Sequence, residues 1–481
     1  MYKYIKNKIK DSSNYILIRE QIYDSEALSY DGENFYYYSL HDKGMGIELI
    51  NNKDNILFFH TNILDENIVN ILNEMNDPNK ISISPLKIEG IYNFYKNRKP
   101  IIKNLQTNNS TWYLIDSYKK LLKKRYQDLK SLNYAYDLEV YLLLGNEQFK
   151  IYDNNKTNIS FNNSFSSIRH TYKIDINNEK YYRKISISGN DSEILTSNKN
   201  INEFEKKLND HDITNTKLLN NNLSKDLNSK LYDKIIFNYE FIAALIHEIV
   251  GHIIEEDNYY EYITTRKFLS YIANLSNNIH FNIYDRPNVN SWGYQPFDCN
   301  GNIRGKYKSN SLKLLNTIYS EKWSEKFIFS DRIERYSDFP LPRMSNMTLE
   351  MLPEFTFSIK KDTTEFELID LLIEKKVISN NDDILILIGC LEGYINIKKM
   401  EFYVLPEYSF TFKNEKYINI GQKYISFNII NFFDSIRCGF GELINDKYDY
   451  CRKKGQQIQV SGGSNHYILS ENLIINILNS K

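Results

Sequence analysis

Two histidines and a glutamate stand close together in an otherwise mostly apolar stretch at residues 241–257. His247 and His252 offer imidazole nitrogens to a metal ion, and Glu248 directly follows the first histidine. Imidazole ligands beside a carboxylate are the residue types that hold a metal, activate its bound water and take the proton of that water. The stretch is therefore a candidate hydrolytic metal site.

The spacing of the two histidines departs from the common zinc-helix pattern. In that pattern the histidines are four residues apart and share one helical face, whereas His247 and His252 are five apart. Five residues rotate by about 140° around a regular α-helix, which points the two rings away from each other. They can share an ion only if the helix widens into a π-helical turn or bends, and Gly251 is where such a distortion meets least steric resistance. Two histidines with separate hydrogen-bond partners are the alternative.

The composition argues against several classes of protein. The chain has 481 residues, 42% of them hydrophobic, which is enough for two or three domains with sizeable cores. Its 60 basic and 61 acidic residues leave no charge excess that would favour nucleic acid or an anionic membrane. The apolar runs are too short for a membrane span, and no apolar core of a signal peptide follows the basic N-terminus. Four cysteines without close pairing fit a reducing compartment, so we expect a cytoplasmic protein.

The predicted elements indicate an α+β protein. We expect an N-terminal mixed α/β domain at residues 1–135 and a middle part with strands and an Asn-rich connection at 136–235. A large, mainly antiparallel β domain at 236–481 would begin with the histidine stretch. Residues 190–229 have few apolar clusters, which predicts a partly mobile connection with a short helix near 201–208 and a solvated His211. Residues 363–373 predict a capped helix.

The histidine stretch resembles the signature of the TldD/PmbA family, whose members are cytoplasmic metallopeptidases and their partner subunits. The family sequence His-Glu-x-x-Gly-His-x-x-Glu-Gly-Asp is similar to residues 247–257, with Glu255 and Asp257 at matching positions. The glycine that follows the glutamate in the family is Glu256 here, and residues 237–241 replace the Gly/Pro-rich turn that enters the family's helix. These departures suggest a divergent member with a specialised peptide substrate.

Further motifs similar to those of the family follow in the same order along the chain. An acidic turn ends at Gly301, and an arginine-rich segment ends in Pro-Arg-Met-Ser-Asn at residues 342–346. The segment from Cys451 is similar to the family's terminal Cys-Gly-Lys-Glu-Gly-Gln, although Arg452 replaces its first glycine. The resemblance is strong from about residue 240 onward and weak before it.

The resemblance implies a zinc site of the TldD type held by His247, His252 and Cys451, because PmbA-type subunits lack the two histidines. It also implies that Glu248 is the general base of a zinc metallopeptidase that cleaves unstructured, extended peptides, as in leader removal or maturation of a modified peptide. A dimer with a second copy or with a PmbA-type subunit is implied as well. A buried structural role for Cys451, with Cys438 as the ligand instead, is the alternative.

Two further residues and a second function stay open. Glu255 either orients an imidazole or belongs to a solvated helix end. Arg343 either binds a substrate carboxylate or carbonyl or pairs with an internal carboxylate. The alternative function is a non-catalytic subunit of a TldD/PmbA-type complex that binds peptides or supports a catalytic partner.

Overall fold

The computed structural model of the protein describes most of the chain in fifteen ranges, which contain two large sheets. These are residues 14–53, 55–61, 86–87, 91–96, 99–106, 115–176, 179–190, 197–219, 230–254, 267, 280–285, 291–294, 296–297, 346–453 and 456–478.

In the part of the chain that the structure describes, the N-terminal sheet consists of eight mostly antiparallel strands. In chain order they are β1 (Tyr15–Tyr30), β2 (Phe35–Ile50), β3 (Asn55–Thr61), β4 (Leu86–Lys87), β5 (Ile102–Gln106), β6 (Ala135–Asp153), β7 (Asn158–Ile176) and β8 (Glu179–Gly189). Across the sheet the order is β4-β3-β2-β1-β6-β7-β5, and β8 also pairs with β7. Strict alternation in β8 places Tyr181, Ile185 and Ile187 in the core, because successive side chains of a strand point to opposite faces.

Within the described ranges, the C-terminal sheet contains ten strands. They are β9 (Lys230–Asn238), β10 (Phe281–Asp285), β11 (Asn346–Met351), β12 (Thr356–Phe357), β13 (Ile384–Asn396), β14 (Glu401–Lys413), β15 (Lys416–Asn419), β16 (Ile425–Asn428), β17 (Ile436–Lys453) and β18 (Gln456–Ile477). The long strand β18 pairs with β9, β11, β16 and β17 along its length.

The predicted α+β class is confirmed, with a mixed N-terminal part followed by a mainly antiparallel β part. Strands β6 to β8, which lie in the predicted middle part, extend the N-terminal sheet, and the two sheets divide between residues 189 and 230. The domain boundaries near 135 and 235 stay predictions.

The helices pack on these sheets. They are α1 (Ile91–Lys96), α2 (Lys119–Lys130), α3 (Asn198–Leu219), α4 (Tyr239–Ile246), α5 (His252–Ile254), α6 (Glu365–Glu374) and α7 (Ile429–Ser435). The cap predicted for α6 is present, since Thr364 and Glu367 form a reciprocal capping box. Among the described residues, no helix combines the length and apolar character needed to cross a membrane.

Helix α3 corrects the prediction for the Asn-rich connection. A single helix of 22 residues occupies Asn198–Leu219, where a partly mobile segment with a short helix was expected. Its buried side chains include Phe204 and Leu218, but also the polar Thr214 and Asn215. Polar residues at buried positions hide the apolar periodicity by which an amphipathic helix is recognised.

The prediction that His211 is a solvated surface residue is wrong. Its Nδ1 lies 3.0 Å from the hydroxyl of Tyr172, and its ring meets the ring of Tyr408 edge-on with 5.5 Å between centroids. One turn further, Asn215 donates to the same Tyr172 hydroxyl at 3.1 Å and accepts from Nε of Arg183 at 3.2 Å. Groups on the sheets thus satisfy these polar side chains of α3, which is why this face of the helix can pack against the sheets.

Candidate metal centre

The helix that carries the two histidines starts directly at the end of β9. Asn238, the last residue of β9, is the N-cap of α4, and its side-chain oxygen accepts the N–H of Phe241 at 3.0 Å. The same oxygen accepts the N–H of Gly389 on β13 at 2.9 Å. The cap therefore ties the start of the helix to the neighbouring strand. This residue was missed in the sequence, although an asparagine before an apolar periodic run is the usual signal.

Helix α4 lies against the sheet along nearly all of its length. Phe241, Ile242, Leu245 and Ile246 are fully buried in a core formed with the C-terminal sheet. A Cβ at Gly462 of β18 would lie 2.8 Å from the carbonyl oxygen of Met347 and 3.2 Å from the Cβ of Ala243. Glycine at this position thus allows β18, β11 and the helix to approach one another closely.

The predicted widening of the helix is present. A π-helical segment spans His247–Gly251, and the N–H of His252 donates to the carbonyl of His247 five residues earlier. The wider turn brings both imidazoles to one side, with 5.1 Å between ring centroids and 86° between ring planes. A regular helix would have separated them.

Cys451 from the far end of the chain completes the cluster. Its Sγ lies 3.4 Å from Nε2 of His252, and the ligand atoms of His247, His252 and Cys451 all lie within 4.8 Å of one another. A tetrahedral zinc ion with two imidazole nitrogens and one sulfur holds its donor atoms roughly 3.3–3.6 Å apart, as follows from its bond lengths. The donor types and their spacing therefore fit a metal ion such as zinc.

The electrostatics of the cluster agree with a metal-binding thiolate. Burial raises the pKa of the Cys451 thiol, but His247 and His252 outweigh this effect and hold that pKa well below its usual range. Burial likewise lowers the pKa of His247, whereas the charges of Cys451 and Glu248 shift it upward on balance. The cluster therefore favours the ionised form of the sulfur, which is the form that binds metal.

Glu248 lies at the open side of this cluster. Its Oε2 is 3.8 Å from Nε2 of His252, the nitrogen that also faces Cys451. The Glu248 side chain keeps 22% of its exposure, whereas His247 is buried. The carboxylate is thus next to the donor atoms and accessible from solvent.

The remaining predicted site residues are not part of this group. Cys438, the alternative ligand, lies in the core formed with α6 and the N-terminal sheet, where burial raises the pKa of its thiol to about 11. Glu255 and Arg343 lie outside the described residues.

The C-terminal part of the chain matches a known family. The profile of the PmbA/TldA metallopeptidase C-terminal domain matches residues 229–444, a range that contains both histidines and ends before Cys451. No protein among the curated sequences matches the chain.

Solved structures with a similar fold cover nearly the whole chain. A Thermotoga maritima protein, provisionally described as a modulator of a DNA gyrase, has a TM-score of 0.66 at 12% identity over 99% of this chain and 100% of its own. TldE from Thermococcus kodakarensis has a TM-score of 0.59 at 11% identity, with 98% of each chain covered. A Bacteroides thetaiotaomicron protein, also provisionally described as a modulator of DNA gyrase, has a TM-score of 0.54 at 10% identity over 98% of this chain and 96% of its own.

At these identities the likeness concerns the fold, while the profile concerns the sequence of the C-terminal part. The two findings agree with each other and with the ordered motifs. Residues 229–444 thus match the C-terminal domain of the TldD/PmbA family in sequence, and the whole chain is similar in fold to solved structures such as TldE.

Proposed function

We propose that this protein is a zinc peptidase in which His247, His252 and Cys451 hold the ion and Glu248 is the general base. The observation that carries the proposal is the convergence of three donor atoms, from two distant parts of the chain, within 4.8 Å. Two imidazoles and a thiolate leave one tetrahedral position open, as in catalytic zinc sites. When bound, the ion would supply a water that ionises near neutral pH and a Lewis acid for the peptide carbonyl.

The position of Glu248 supports its role as the group that moves the proton. The carboxylate is 3.8 Å from Nε2 of His252 and partly exposed, so that both the attacking water and a substrate can reach it. It would accept the proton of the water during attack and donate a proton to the leaving amine afterwards. The two histidines and the cysteine, by contrast, hold their positions through the helix and the C-terminal strand pair.

The substrate that we propose is an extended peptide bound as an added strand. Cys451 lies on β17 of the C-terminal sheet, so a peptide at the metal cluster would lie beside this sheet. A peptide that adds to a sheet as a strand binds through its backbone, which gives affinity with little side-chain selectivity. Folded proteins offer no such free backbone and would be excluded.

The proposed setting is the removal of a leader or the maturation of a modified peptide in the cytoplasm. The working unit would be a dimer with a second copy or with a PmbA-type subunit. Mass photometry of the purified chain, alone and with a PmbA-type protein, distinguishes these two assemblies.

The test of the chemistry is Glu248→Gln, with Glu240→Gln as the matched control on the first turn of the same helix. Both variants and the natural protein are loaded with zinc, their metal content is measured by mass spectrometry, and cleavage of unstructured fluorogenic peptides is followed. We expect Glu248→Gln to keep one zinc per chain and to lose about 10²- to 10⁴-fold in cleavage rate, because general base catalysis contributes that much. Glu240→Gln should cleave normally.

Two results would contradict the proposal in different ways. Undiminished cleavage by Glu248→Gln would remove this residue from the mechanism. Failure of the natural protein to retain zinc after loading would favour a non-catalytic, peptide-binding subunit.

A further inference from the structure

The N-terminal sheet contacts the strand of Cys451 at the two residues that directly precede the cysteine. We propose that these contacts position the thiol in the metal cluster, so that metal affinity depends on the N-terminal sheet. The inference rests on the proposed function only in so far as the cluster binds metal. Lys184, Phe165 and Trp292 are then positioning residues for a ligand that none of them touches.

The first contact is an ion pair between the two sheets. Nζ of Lys184 on β8 lies 3.1 Å from Oδ2 of Asp449 on β17, and the Lys184 side chain keeps only 16% of its exposure. Oδ1 of Asp449 accepts the N–H of Tyr450 at 2.8 Å. Through Asp449, Lys184 is therefore linked to the backbone N–H of Tyr450, the residue before Cys451.

The second contact is a row of aromatic rings. Phe165 on β7 meets Trp292 edge-on with 5.3 Å between centroids, and Trp292 meets Tyr450 in the same way at 5.6 Å. A Cβ at Gly145 of β6 would lie 1.9 Å from Cζ of Phe165, so the ring can occupy its place only over a glycine. Such edge-on aromatic pairs attract each other beyond the effect of the area they bury.

The loop that carries Trp292 is itself fixed to the partner strand of the cysteine. The N–H of Gly293 donates to Oγ of Ser461 on β18 at 2.7 Å. Trp292 is almost completely buried, and Phe297 further along lies in a core with strands of the N-terminal sheet. The aromatic row connects the N-terminal sheet to β17, and the hydrogen bond of Gly293 connects the same loop to β18.

The pairing of β17 explains why external support matters. Its register with β18 shifts three times, between Ile436 and Cys438, between Phe440 and Leu443, and between Ile444 and Lys447. Each irregularity bends or twists a strand locally, so the regular ladder of the sheet does not by itself fix the direction of the last part of β17. The ladder becomes regular only from Lys447 to Lys453, where the contacts with the N-terminal sheet also lie.

A metal site is sensitive to small displacements of a ligand. Metal–ligand distances lie within about 0.2 Å of their ideal values, and loss of a partner that orients a ligand typically weakens metal binding by about 10- to 100-fold. A strand end that moves when Lys184 no longer pairs with Asp449 would therefore cost metal affinity. The rest of the fold would be little affected.

The experiment compares Lys184→Met with Lys173→Met in the full chain. Lys173 is the matched control, because it also lies on the N-terminal sheet and pairs with an aspartate, Asp137, which belongs to β6 of the same sheet. The dissociation constant for zinc is measured by competition with a chromogenic chelator. Thermal unfolding of the metal-free proteins is followed in parallel to separate metal affinity from stability.

We expect Lys184→Met to bind zinc about tenfold more weakly, at the low end of the range for such partners, and Lys173→Met to bind as the natural protein does. Asp449→Asn should have the same effect, and the double variant Lys184→Met with Asp449→Asn should add little, since the two residues form one pair. Phe165→Leu tests the aromatic row in the same assay.

Unchanged zinc affinity in both Lys184→Met and Phe165→Leu would overturn the inference, even if either variant unfolds at a lower temperature. Failure of the natural protein to bind zinc would instead contradict the proposed function. Hydrogen exchange of residues 446–453 in the metal-free proteins then decides the inference. Faster exchange in Lys184→Met than in Lys173→Met supports it, and equal exchange contradicts it.

Discussion

Asn238 offers a test of how the histidine helix is held, because one side-chain oxygen serves two backbone donors. It accepts the N–H of Phe241 within the helix and the N–H of Gly389 on the neighbouring strand. Both bonds are buried, and Asn238 itself keeps 7% of its exposure. Asn238→Ala removes both hydrogen bonds at once without introducing any clash.

Loss of each hydrogen bond lowers the free energy of unfolding by a different amount. Replacing an asparagine N-cap by alanine costs typically about 1 kcal/mol. The N–H of Gly389 would in addition be left buried without this acceptor, which costs about 1–3 kcal/mol. Together the expected loss in the free energy of unfolding is about 2–4 kcal/mol.

The matched control is Asn428→Ala at the start of α7. Asn428 also caps a helix and also accepts two N–H groups, those of Ile430 and Asn431, but both belong to its own helix and Asn428 is only partly buried. Water can replace the lost acceptor there, so the expected cost is about 1 kcal/mol.

Urea unfolding followed by circular dichroism measures both variants, with free energies taken from the shift of the midpoint at a common slope. Equal losses in the two variants would refute the reasoning. They would mean that the bond from Gly389 to Asn238 contributes nothing beyond an ordinary cap.

Two further predictions concern pH. Burial raises the pKa of Glu365 to about 7, so the stability that the protonated carboxyl provides is complete below about pH 4.5 and is lost as the pH rises towards 7. Glu365→Gln should therefore raise the free energy of unfolding by about 3 kcal/mol at pH 8 and change it little at pH 4.5, which urea titrations at the two pH values measure. The second prediction concerns Cys451 in the metal-free protein. The histidines hold the pKa of this thiol well below its usual range despite burial, so the thiolate should already be present at pH 7. The absorbance at 240 nm of the natural chain should therefore exceed that of Cys451→Ala at this pH. A step above pH 8 would contradict this, and Cys438, whose pKa burial raises to about 11, should contribute nothing below pH 9.

Much of the fold class followed from local patterns that the structure bears out. The capped helix α6 follows from its own first turn, where Thr364 and Glu367 satisfy each other's backbone donors. Of helix α3, only a short piece near residues 201–208 followed from the sequence, because His211 and Asn215 occupy positions where apolar residues would have marked a longer helix face. Their partners, Tyr172 and Arg183, lie on strands that are distant in sequence.

The candidate site likewise has one part that the sequence predicts and one part that only the tertiary structure reveals. The rotation per residue of a regular helix is constant, so the five-residue spacing of His247 and His252 required a widened or bent helix if the rings were to meet. The π-helical segment is present. The third donor has no local signal. Cys451 was singled out only by family resemblance, and only the tertiary structure brings its sulfur to 3.4 Å from His252. The physical reason is that helix geometry is a property of neighbouring residues, whereas the approach of Cys451 depends on how β18 joins the two ends of the C-terminal part into one sheet.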